Sequence, residues 1–432
     1  MKTNNSPILI SPYENNKNIY YYPESGDVVL DNDTPSAIKC DNSQVCQIEN
    51  VVTQFNRLTL RVTGNCNMSC DYCFTQFHPC LNVIKKSFYR NAIEDFINSF
   101  TENKTVSFIL TGGEPLLYKD VVYDIITFAY EKAVNRNLNC NFLIYTNCTL
   151  IDTYYINIFQ KYNVSLAVSL DGVRSAHNLR RPMKNKKDSY KLILKNLLLL
   201  HENNIHVEVR TVIQPDETNI IPLIENNIHL GFSGMHLLPV YGYNKKQITN
   251  SKIWIDALHY YVSLLKKHYM IEIVPFFQLF RKMAYPSYFI TSFYPCDSGK
   301  NSICMSDTGE YYICSHFIGK PELSLGRYSD NIPMPETINA QIKSCLNPTC
   351  QICWARRLCG GSCYHRTVLG MAPTGEENCL EWLTVIREAI ICYVDLIKSA
   401  PDVRDFLCHY NPILPTEVQK NIHSEIEKQL RL

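Results

Sequence analysis

The chain has 432 residues, nineteen of them cysteine, and its 42 basic residues nearly balance 41 acidic ones. The balanced charge gives no reason to expect a nucleic-acid partner. No apolar run is long enough to span a membrane, and the N-terminus, MKTNNSPILISPYENN, lacks the apolar core of a signal peptide. We therefore expect a cytoplasmic protein without a membrane partner, whose cysteines serve metal binding more than disulfide formation.

The first 55 residues contain two strand-like runs, at 19–22 and 28–30, on either side of the turn sequence PESGD. The pattern predicts a short β-hairpin. A lone hairpin is marginally stable in water, so we expect this one to pack on the rest of the chain.

Residues 56–285 alternate between strand-like and helix-like runs, which is typical of a parallel α/β fold. The predicted strands are residues 58–63, 106–110, 141–146, 164–170, 206–213 and 234–240. The predicted helices are 88–97, 121–134, 154–162, 190–203 and 254–268. Six such strands predict a partial, TIM-like (β/α)6 barrel that is open on one side, with its chemistry at the carboxyl ends of the strands.

A cysteine loop follows the first of these strands. Residues 62–74 read VTGNCNMSCDYCF and place Cys66, Cys70 and Cys73 in a C-x3-C-x2-C pattern. Soft thiolates favour an iron–sulfur cluster or zinc. A structural zinc ion usually takes four protein ligands, whereas three thiolates on a four-iron cubane leave one iron open.

The second predicted strand ends in TGGEP, residues 111–115. With the cysteine loop at the end of the preceding strand, the sequence resembles the radical S-adenosylmethionine (SAM) superfamily. The resemblance implies that Cys66, Cys70 and Cys73 hold a [4Fe-4S] cluster that binds and cleaves SAM reductively. It also implies a 5′-deoxyadenosyl radical and an external electron donor such as flavodoxin or ferredoxin.

The same resemblance assigns the SAM contacts. It implies that Tyr72 packs near the adenine and that Gly112, Gly113 and Glu114 hold the methionine amino group. The stretch VSLDG, residues 168–172, resembles the family's SLDG sequence and implies roles for Ser169 and Asp171. Arg210 lies in the fifth strand, where the family often binds a carboxylate. An inward arginine needs an anion, and a salt bridge to a neighbouring acid is the alternative.

A second set of cysteines, in residues 296–379, resembles the SPASM extension of radical SAM enzymes and includes LCGGSC at 358–363. The resemblance implies two auxiliary [4Fe-4S] clusters, with zinc at both sites as the alternative. The first would be held by Cys296, Cys314 and Cys363, and the second by Cys350, Cys353, Cys359 and Cys379. Cys304 is either a fourth ligand of the first cluster or an inward strand cysteine.

These features predict four regions: an N-terminal hairpin region (1–55), a radical SAM barrel (56–285), a SPASM domain (286–385) and a C-terminal helical segment (386–432). Peptide-modifying relatives often carry an N-terminal module that binds a leader peptide by strand addition. The hairpin is therefore either part of such a module or a structural lid.

The resemblance implies a radical enzyme acting on a peptide or protein. We favour a maturase of a small ribosomally made precursor, forming a thioether or carbon–carbon crosslink. The alternative is an anaerobic sulfatase-maturating enzyme, which oxidises Cys or Ser to formylglycine. Such enzymes place an aspartate directly after the second SPASM cysteine, whereas Cys314 precedes Ser315 and His316 here. His316 is a candidate base, with a structural histidine as the alternative. A non-catalytic iron–sulfur scaffold would leave the complete cysteine loop and GGE pair unexplained.

Overall fold

The structure is a computed structural model, and it describes most of the chain. The described residues are 7–13, 17–23, 25–30, 55–77, 82–101, 104–240, 250–285, 295–330, 333, 335–370 and 379–431. The predicted boundary at residue 286 therefore lies outside the described residues. Within them, no helix combines the length and apolar content that a membrane span requires.

The N-terminal region forms a small antiparallel sheet. Its strands are β1 (Ile8–Tyr13), β2 (Lys17–Tyr21) and β3 (Val28–Leu30), in the order β1-β2-β3. The predicted hairpin corresponds to β2 and β3, so it is confirmed, while β1 was not predicted. The sheet is anchored by Tyr21, which is fully buried and meets the Trp354 ring edge-on at 6.1 Å between centroids. It therefore packs against the cysteine-rich C-terminal half.

A nine-stranded sheet forms the centre of the molecule. Its order is β10-β9-β8-β7-β6-β5-β4-β11-β12, parallel throughout except for the antiparallel β11–β12 pair. The strands are β4 (Arg57–Thr63), β5 (Thr105–Gly112), β6 (Asn139–Thr146), β7 (Val164–Ser169), β8 (Val207–Ile213), β9 (Gly234–Pro239), β10 (Glu272–Val274), β11 (Ser302–Met305) and β12 (Tyr311–Tyr312). The six predicted strands are β4 to β9, which confirms the α/β fold class.

The sheet extends beyond the prediction at both edges. On one side β10 pairs with β9, and its three buried residues are too few to show a periodic pattern. On the other side β11, which carries Cys304, pairs in parallel with β4. The first strand of the predicted SPASM region is thus continuous with the barrel sheet.

The helices cover the sheet and the C-terminal half. They are α1 (Lys86–Asn98), α2 (Lys119–Val134), α3 (Thr153–Tyr162), α4 (Arg174–Arg180), α5 (Ser189–Glu202), α6 (Ile221–His229), α7 (Ser251–Lys266), α8 (Phe276–Ala284), α9 (Pro335–Cys345), α10 (Pro348–Gln351), α11 (Arg356–Cys359), α12 (Tyr364–Val368), α13 (Leu380–Ser399), α14 (Val403–His409) and α15 (Thr416–Arg431). Asp152 and Asp188 accept backbone N–H bonds at the starts of α3 and α5, which is the usual role of an aspartate N-cap.

Strand alternation decides which side chains face the barrel interior. In β4, Leu58, Leu60 and Val62 are fully buried in the hydrophobic core beneath the helices. Arg57, Thr59, Arg61 and Thr63 therefore point to the opposite, interior face, because successive strand residues alternate.

The C-terminal segment closes the β10 edge. The backbone N–H of Ile413 donates to the Met270 carbonyl at 2.8 Å, just before β10. Tyr410 donates to the Glu272 carboxylate at 2.5 Å, and α15 packs on α5 and α6. The open side of the barrel is thus partly covered by the end of the chain.

Candidate active site

The cysteine loop begins where β4 ends and is fastened to a second loop. Backbone hydrogen bonds run from Ser69 N to the Pro182 carbonyl (2.9 Å) and from Lys184 N to the Asn67 carbonyl (3.0 Å). Residues 181–184 directly follow α4, so the loop is held by the βα unit of β7 and α4. This places Cys66, Cys70 and Cys73 at the carboxyl edge of the parallel sheet, where chemistry is expected.

Two asparagines hold the loop from the side. The Asn147 amide, just after β6, donates to Asn67 Oδ1 at 2.8 Å and lies 3.8 Å from Cys66 Sγ. Asn67 in turn donates to Thr149 Oγ1 at 2.8 Å. Sequence reasoning did not single out Asn67, although its position between two of the cysteines was the available signal.

The three loop thiols fit a metal cluster. They are electrostatic neighbours, and burial raises the pKa of Cys66 to about 12 and that of Cys70 to about 11. Within the described residues, no three cysteine sulfurs lie mutually within 4.8 Å. A tetrahedral zinc ion with Zn–S bonds of about 2.3 Å holds its sulfurs about 3.8 Å apart. The wider spacing favours a larger iron–sulfur cubane over a single zinc ion.

Tyr72 is held by a buried ion pair. Its hydroxyl donates to the Asp171 carboxylate, which also accepts two bonds from Arg181 (2.8 and 3.1 Å) and one from Val212 N (2.9 Å). Burial opposes ionisation, but the Arg181 guanidinium holds the pKa of Asp171 below its usual value. The carboxylate is thus used within the protein, which makes Asp171 a positioning residue for Tyr72. Arg181 had no sequence signal, because it lies ten residues beyond Asp171 without a motif.

The two glycines after β5 are required by contact between backbones. A Cβ on Gly112, which has φ +149°, would lie 2.1 Å from the Thr63 carbonyl oxygen. A Cβ on Gly113 would lie 2.1 Å from the Asn65 carbonyl oxygen. The prediction attributed these glycines to ligand approach, whereas the structure shows that they first let the β5 end meet the cysteine loop.

Glu114 is fully buried and faces the end of β6. Its carboxylate accepts bonds from Leu116 N (3.0 Å), Thr146 Oγ1 (2.8 Å) and Asn147 N (2.7 Å). Burial raises its pKa to about 7, against the lowering effect of these donors. Glu114 therefore ties β5 to β6 and fixes the turn that carries Asn147.

Ser169, the last residue of β7, is in register with Arg210 of the adjacent strand β8. Arg210 is also in register with His236 on β9, and its guanidinium lies 4.7 Å from the Tyr145 ring centroid. Glu208, two residues earlier on the same face, is an electrostatic neighbour of Arg210. The interior thus offers a hydroxyl, a guanidinium and an imidazole on three adjacent strands.

Seven cysteines of residues 296–379 form two groups. Cys314 is partly buried, and it lies close enough to Cys296 and Cys363 for their charges to raise the pKa of its thiol. Cys379 lies close enough to Cys350, Cys353 and Cys359 for their charges to raise the pKa of its thiol. The structure therefore brings together the same two sets that the resemblance to SPASM proteins implied.

Cys304 lies between the barrel and the first of these groups. It is buried on β11 and in register with Thr59. It also lies close enough to Cys314 for its charge to raise the pKa of that thiol. Its other charge neighbours are Arg61 and Asp307, which form a buried ion pair at 3.8 Å. Cys304 is thus an inward strand cysteine that also adjoins the group around Cys314.

A lysine that sequence reasoning missed accompanies the second group. Lys282 of α8 donates from Nζ to the Leu358 carbonyl at 2.8 Å and is a charge neighbour of Cys359. Burial lowers its pKa to about 8. A buried ammonium is stabilised by a nearby anion, and thiolates in this group would supply one.

His316 stacks between the two cysteine regions. Its ring lies 4.0 Å from the Phe74 ring at an interplanar angle of 24°, and 4.9 Å from the His365 ring. Phe74 directly follows Cys73, so the stack connects the cysteine loop to the residues that follow Cys314 and Cys363. The ring packing supports a structural role for His316 beside the candidate role as a base.

Comparison with known proteins identifies part of this arrangement. Residues 60–220 match the Radical SAM superfamily. The chain is 32% identical over 168 residues to a cysteine-type anaerobic sulfatase-maturating enzyme of Clostridium novyi (strain NT). The aligned stretch covers 38% of this chain and 44% of that relative. The matched stretch therefore spans less than half of the relative's length.

Two solved structures have a similar fold. Native anSMEcpe with bound AdoMet and Kp18Cys peptide has a TM-score of 0.68 at 17% identity, covering 79% of this chain and 99% of that one. Streptococcus suis SuiB bound to precursor peptide SuiA has a TM-score of 0.56 at 17% identity, covering 75% of each chain. At such identities the likeness concerns the fold alone.

Proposed function

We propose that this chain, whose residues 60–220 belong to the Radical SAM superfamily, is an enzyme that uses SAM to modify a peptide by radical chemistry. The observation that carries the proposal is the contact between the GGE turn and the start of the cysteine loop, where Gly113 N and Glu114 N donate to the Thr63 and Asn65 carbonyls at 2.8 Å. When bound, the [4Fe-4S] cluster and SAM supply a 5′-deoxyadenosyl radical that removes a hydrogen atom from the substrate.

The protein's own contribution is to hold and orient these groups. Cys66, Cys70 and Cys73 would ligate the cluster, and the Asn67–Asn147 contact keeps their loop in place. The Asp171–Arg181 pair holds Tyr72, a residue of the same loop, and the Arg181 guanidinium lies 5.1 Å from the Tyr72 ring centroid. Such supporting contacts orient metal ligands and are as necessary as the ligands themselves.

Anion binding is the role we propose for Arg210. Its guanidinium is supported by the Tyr145 ring and lies in register with Ser169 and His236. A guanidinium and a hydroxyl on adjacent strands suit a carboxylate with additional hydrogen-bonding groups. The carboxylate of SAM satisfies this description, and Ser169 would share its binding.

We further propose that the two other cysteine groups hold two auxiliary [4Fe-4S] clusters. The division is supported because Cys314 lies near Cys296 and Cys363, while Cys379 lies near Cys350, Cys353 and Cys359. In neither group, whose cysteines all belong to the described part of the chain, do three sulfurs lie within 4.8 Å of one another, a spacing that disfavours a single zinc ion. Cys304 would complete the ligands of the first cluster, because it adjoins Cys314. Anaerobic reconstitution followed by iron, sulfide and zinc analysis tests this: three clusters per chain agree with it, and iron for one cluster with zinc in the rest contradicts it.

The substrate we propose is a small ribosomally made precursor peptide, joined by a thioether or carbon–carbon crosslink. SuiB, which shares the fold, binds a precursor peptide. In the described part of the chain, β1 and β3 are the edge strands of the N-terminal sheet, and an edge strand can pair with an extended leader peptide. Ser315 stands where a sulfatase-maturating enzyme would have its aspartate.

The test incubates reconstituted enzyme with SAM, a reductant and the precursor peptides encoded beside its gene. A loss of two hydrogens that also blocks thiol alkylation indicates a thioether, while reactive thiols indicate a carbon–carbon bond. The Cys66→Ala/Cys70→Ala/Cys73→Ala variant is the control and should leave the peptide unchanged. Removing the leader from the peptide should raise KM more than it lowers kcat, because leader binding is remote from the chemistry.

Sulfatase maturation is the second candidate, favoured by the 32% identity to the Clostridium novyi relative. Its test is a peptide that carries a sulfatase motif with Cys or Ser at the target position. Conversion of that residue to an aldehyde, with every neighbouring precursor unchanged, would replace the crosslinking proposal with this one.

A further inference from the structure

Three potential metal donors meet where α7 packs against α13, away from the eleven cysteines discussed above. His259 comes from α7, while Glu388 and Cys392 come from α13. Their donor atoms all lie within 4.8 Å of one another. The closest pair is His259 Nε2 and Glu388 Oε1 at 2.7 Å, and Cys392 Sγ lies 4.0 Å from the same oxygen.

The helix geometry explains why these side chains meet. Glu388 and Cys392 are four residues apart, so they lie on one face of α13, one turn from each other. The two helices run alongside each other past this point. Trp254 meets Trp382 on one side, with ring centroids 6.0 Å apart, and Lys266 pairs with Asp395 at 2.5 Å on the other. His259 lies between these two contacts, so its position is determined by packing on both sides.

We propose that His259, Glu388 and Cys392 form a zinc-binding site. Imidazole nitrogen, thiolate sulfur and carboxylate oxygen are the ligands that zinc takes in proteins, and thiolate with imidazole disfavours magnesium and calcium. Three protein ligands leave one tetrahedral position for water. The site lies apart from the cysteine loop and from the two auxiliary groups, and it does not depend on the proposed function.

The distances require little movement on metal binding. A tetrahedral zinc ion with bonds of about 2.1 Å to N and O and about 2.3 Å to S separates N from O by about 3.4 Å and S from O by about 3.6 Å. The His259–Glu388 distance must therefore lengthen by less than about 1 Å, and the Cys392–Glu388 distance must shorten by less than that. The His259–Cys392 distance, which is within 4.8 Å, must come to about 3.6 Å.

Burial and charge also suit a cation. Cys392 is buried, whereas the His259 side chain is 52% exposed, so the site has a closed side and a side open to water and to ion entry. Burial and the neighbouring Glu388 carboxylate raise the pKa of Cys392 to about 12. A divalent cation would remove this penalty by pairing with both groups. Bound zinc would join the barrel helix α7 to α13, the helix that starts directly after Cys379.

The test measures zinc on the full, cluster-reconstituted chain after exposure to zinc chloride and desalting. The His259→Gln/Cys392→Ala variant removes two ligands, and its glutamine can still donate to Glu388. The matched control is His268→Gln/Cys408→Ala, which alters another carboxylate-paired histidine and another partly buried helical cysteine. We expect wild type and control to retain one more zinc per chain than the ligand variant, at equal iron content. Equal zinc in all three would overturn the proposal.

A second variant guards against misfolding. Glu388→Gln keeps the side-chain shape and removes only the carboxylate charge. We expect its circular dichroism and iron content to match wild type. Zinc should raise the Tm of the wild type, and both this rise and the extra zinc should disappear in the variant. Cobalt(II) in place of zinc should give a sulfur-to-cobalt charge-transfer band that is lost in Cys392→Ala. A band or Tm shift that survives these substitutions contradicts the site.

Discussion

The cysteine loop at 66–73 and the cysteines at 350–379 differ in what holds their ligands. The loop is fastened to the ends of β4, β5 and β6 and to residues 180–184 by hydrogen bonds between backbone groups and between the Asn67 and Asn147 side chains. In the second group, Cys350 lies on α10 and Cys359 on α11, which have only four residues each. Helices this short are not stable by themselves. We therefore expect the sheet to preorganise the first site, and metal binding to contribute to the structure of the second.

The largest expected difference between the two regions follows from removing the three cysteines of the loop. The Cys66→Ala/Cys70→Ala/Cys73→Ala variant should abolish formation of 5′-deoxyadenosine from SAM under reducing conditions. Its far-UV circular dichroism should match wild type, because the loop is held by contacts that do not involve the sulfurs. Product that persists in the variant would contradict the assignment of the site.

The matching change in the second region should act on structure as well. Replacing Cys350, Cys353, Cys359 and Cys379 by serine should remove one cluster and expose the backbone of residues 348–368 to hydrogen exchange, since metal binding and folding are coupled there. The strands β4 to β9 should keep their protection. Unchanged protection in 348–368 would show that this region, like the loop, is held by the polypeptide alone.

A smaller effect is expected from the positioning contact at Tyr72. Asp171→Asn removes the charge that pairs with Arg181 while keeping the side-chain size. Changing such a supporting group typically lowers metal affinity or activity by roughly 10–100-fold. We expect a loss in this range in the rate of SAM cleavage, with the auxiliary iron content unchanged. A rate equal to wild type would mean that Tyr72 needs no such support, and Asp188→Asn, at the start of α5, is the control.

The smallest effect concerns acidification of the same network. His177 is fully buried and accepts a bond from Asp171 N (3.1 Å), and burial lowers its pKa to about 4. Because the folded state favours neutral His177, its contribution to stability is present above pH 6.5 and is lost as the pH falls towards 4. By linkage this amounts to about 2 kcal/mol in the free energy of unfolding between pH 7.5 and pH 5.

Denaturant unfolding at pH 7.5 and 5 measures this loss. His177→Gln has no titratable ring and should lose about 2 kcal/mol less than wild type over that interval. The exposed His229 on α6 provides a control, since His229→Gln should follow wild type. Parallel pH curves for wild type and His177→Gln would contradict the prediction.

The strands show how far local patterns reach. The predicted strands β4 to β9 each carry five or more residues of apolar or alternating character, which is a signal within the strand itself. The edge strand β10, with three residues, was missed because its pairing depends on β9 and on the C-terminal segment. The sheet also accepts β11 at its other edge, although about 240 residues separate it from its partner β4.

The sequence alone identified the cysteine loop as a candidate metal site, because its three thiols lie within eight residues and their spacing does not depend on how the rest of the chain folds. It also indicated the GGE turn and the α/β fold, which depend on local periodicity. Only the tertiary structure decided which groups support the loop, as in the pairing of Asp171 with Arg181 and of Asn67 with Asn147. It likewise brought His259 together with Glu388 and Cys392, although His259 lies more than a hundred residues before them in the chain. Such contacts depend on how helices and strands pack, and packing leaves no regular spacing along the chain.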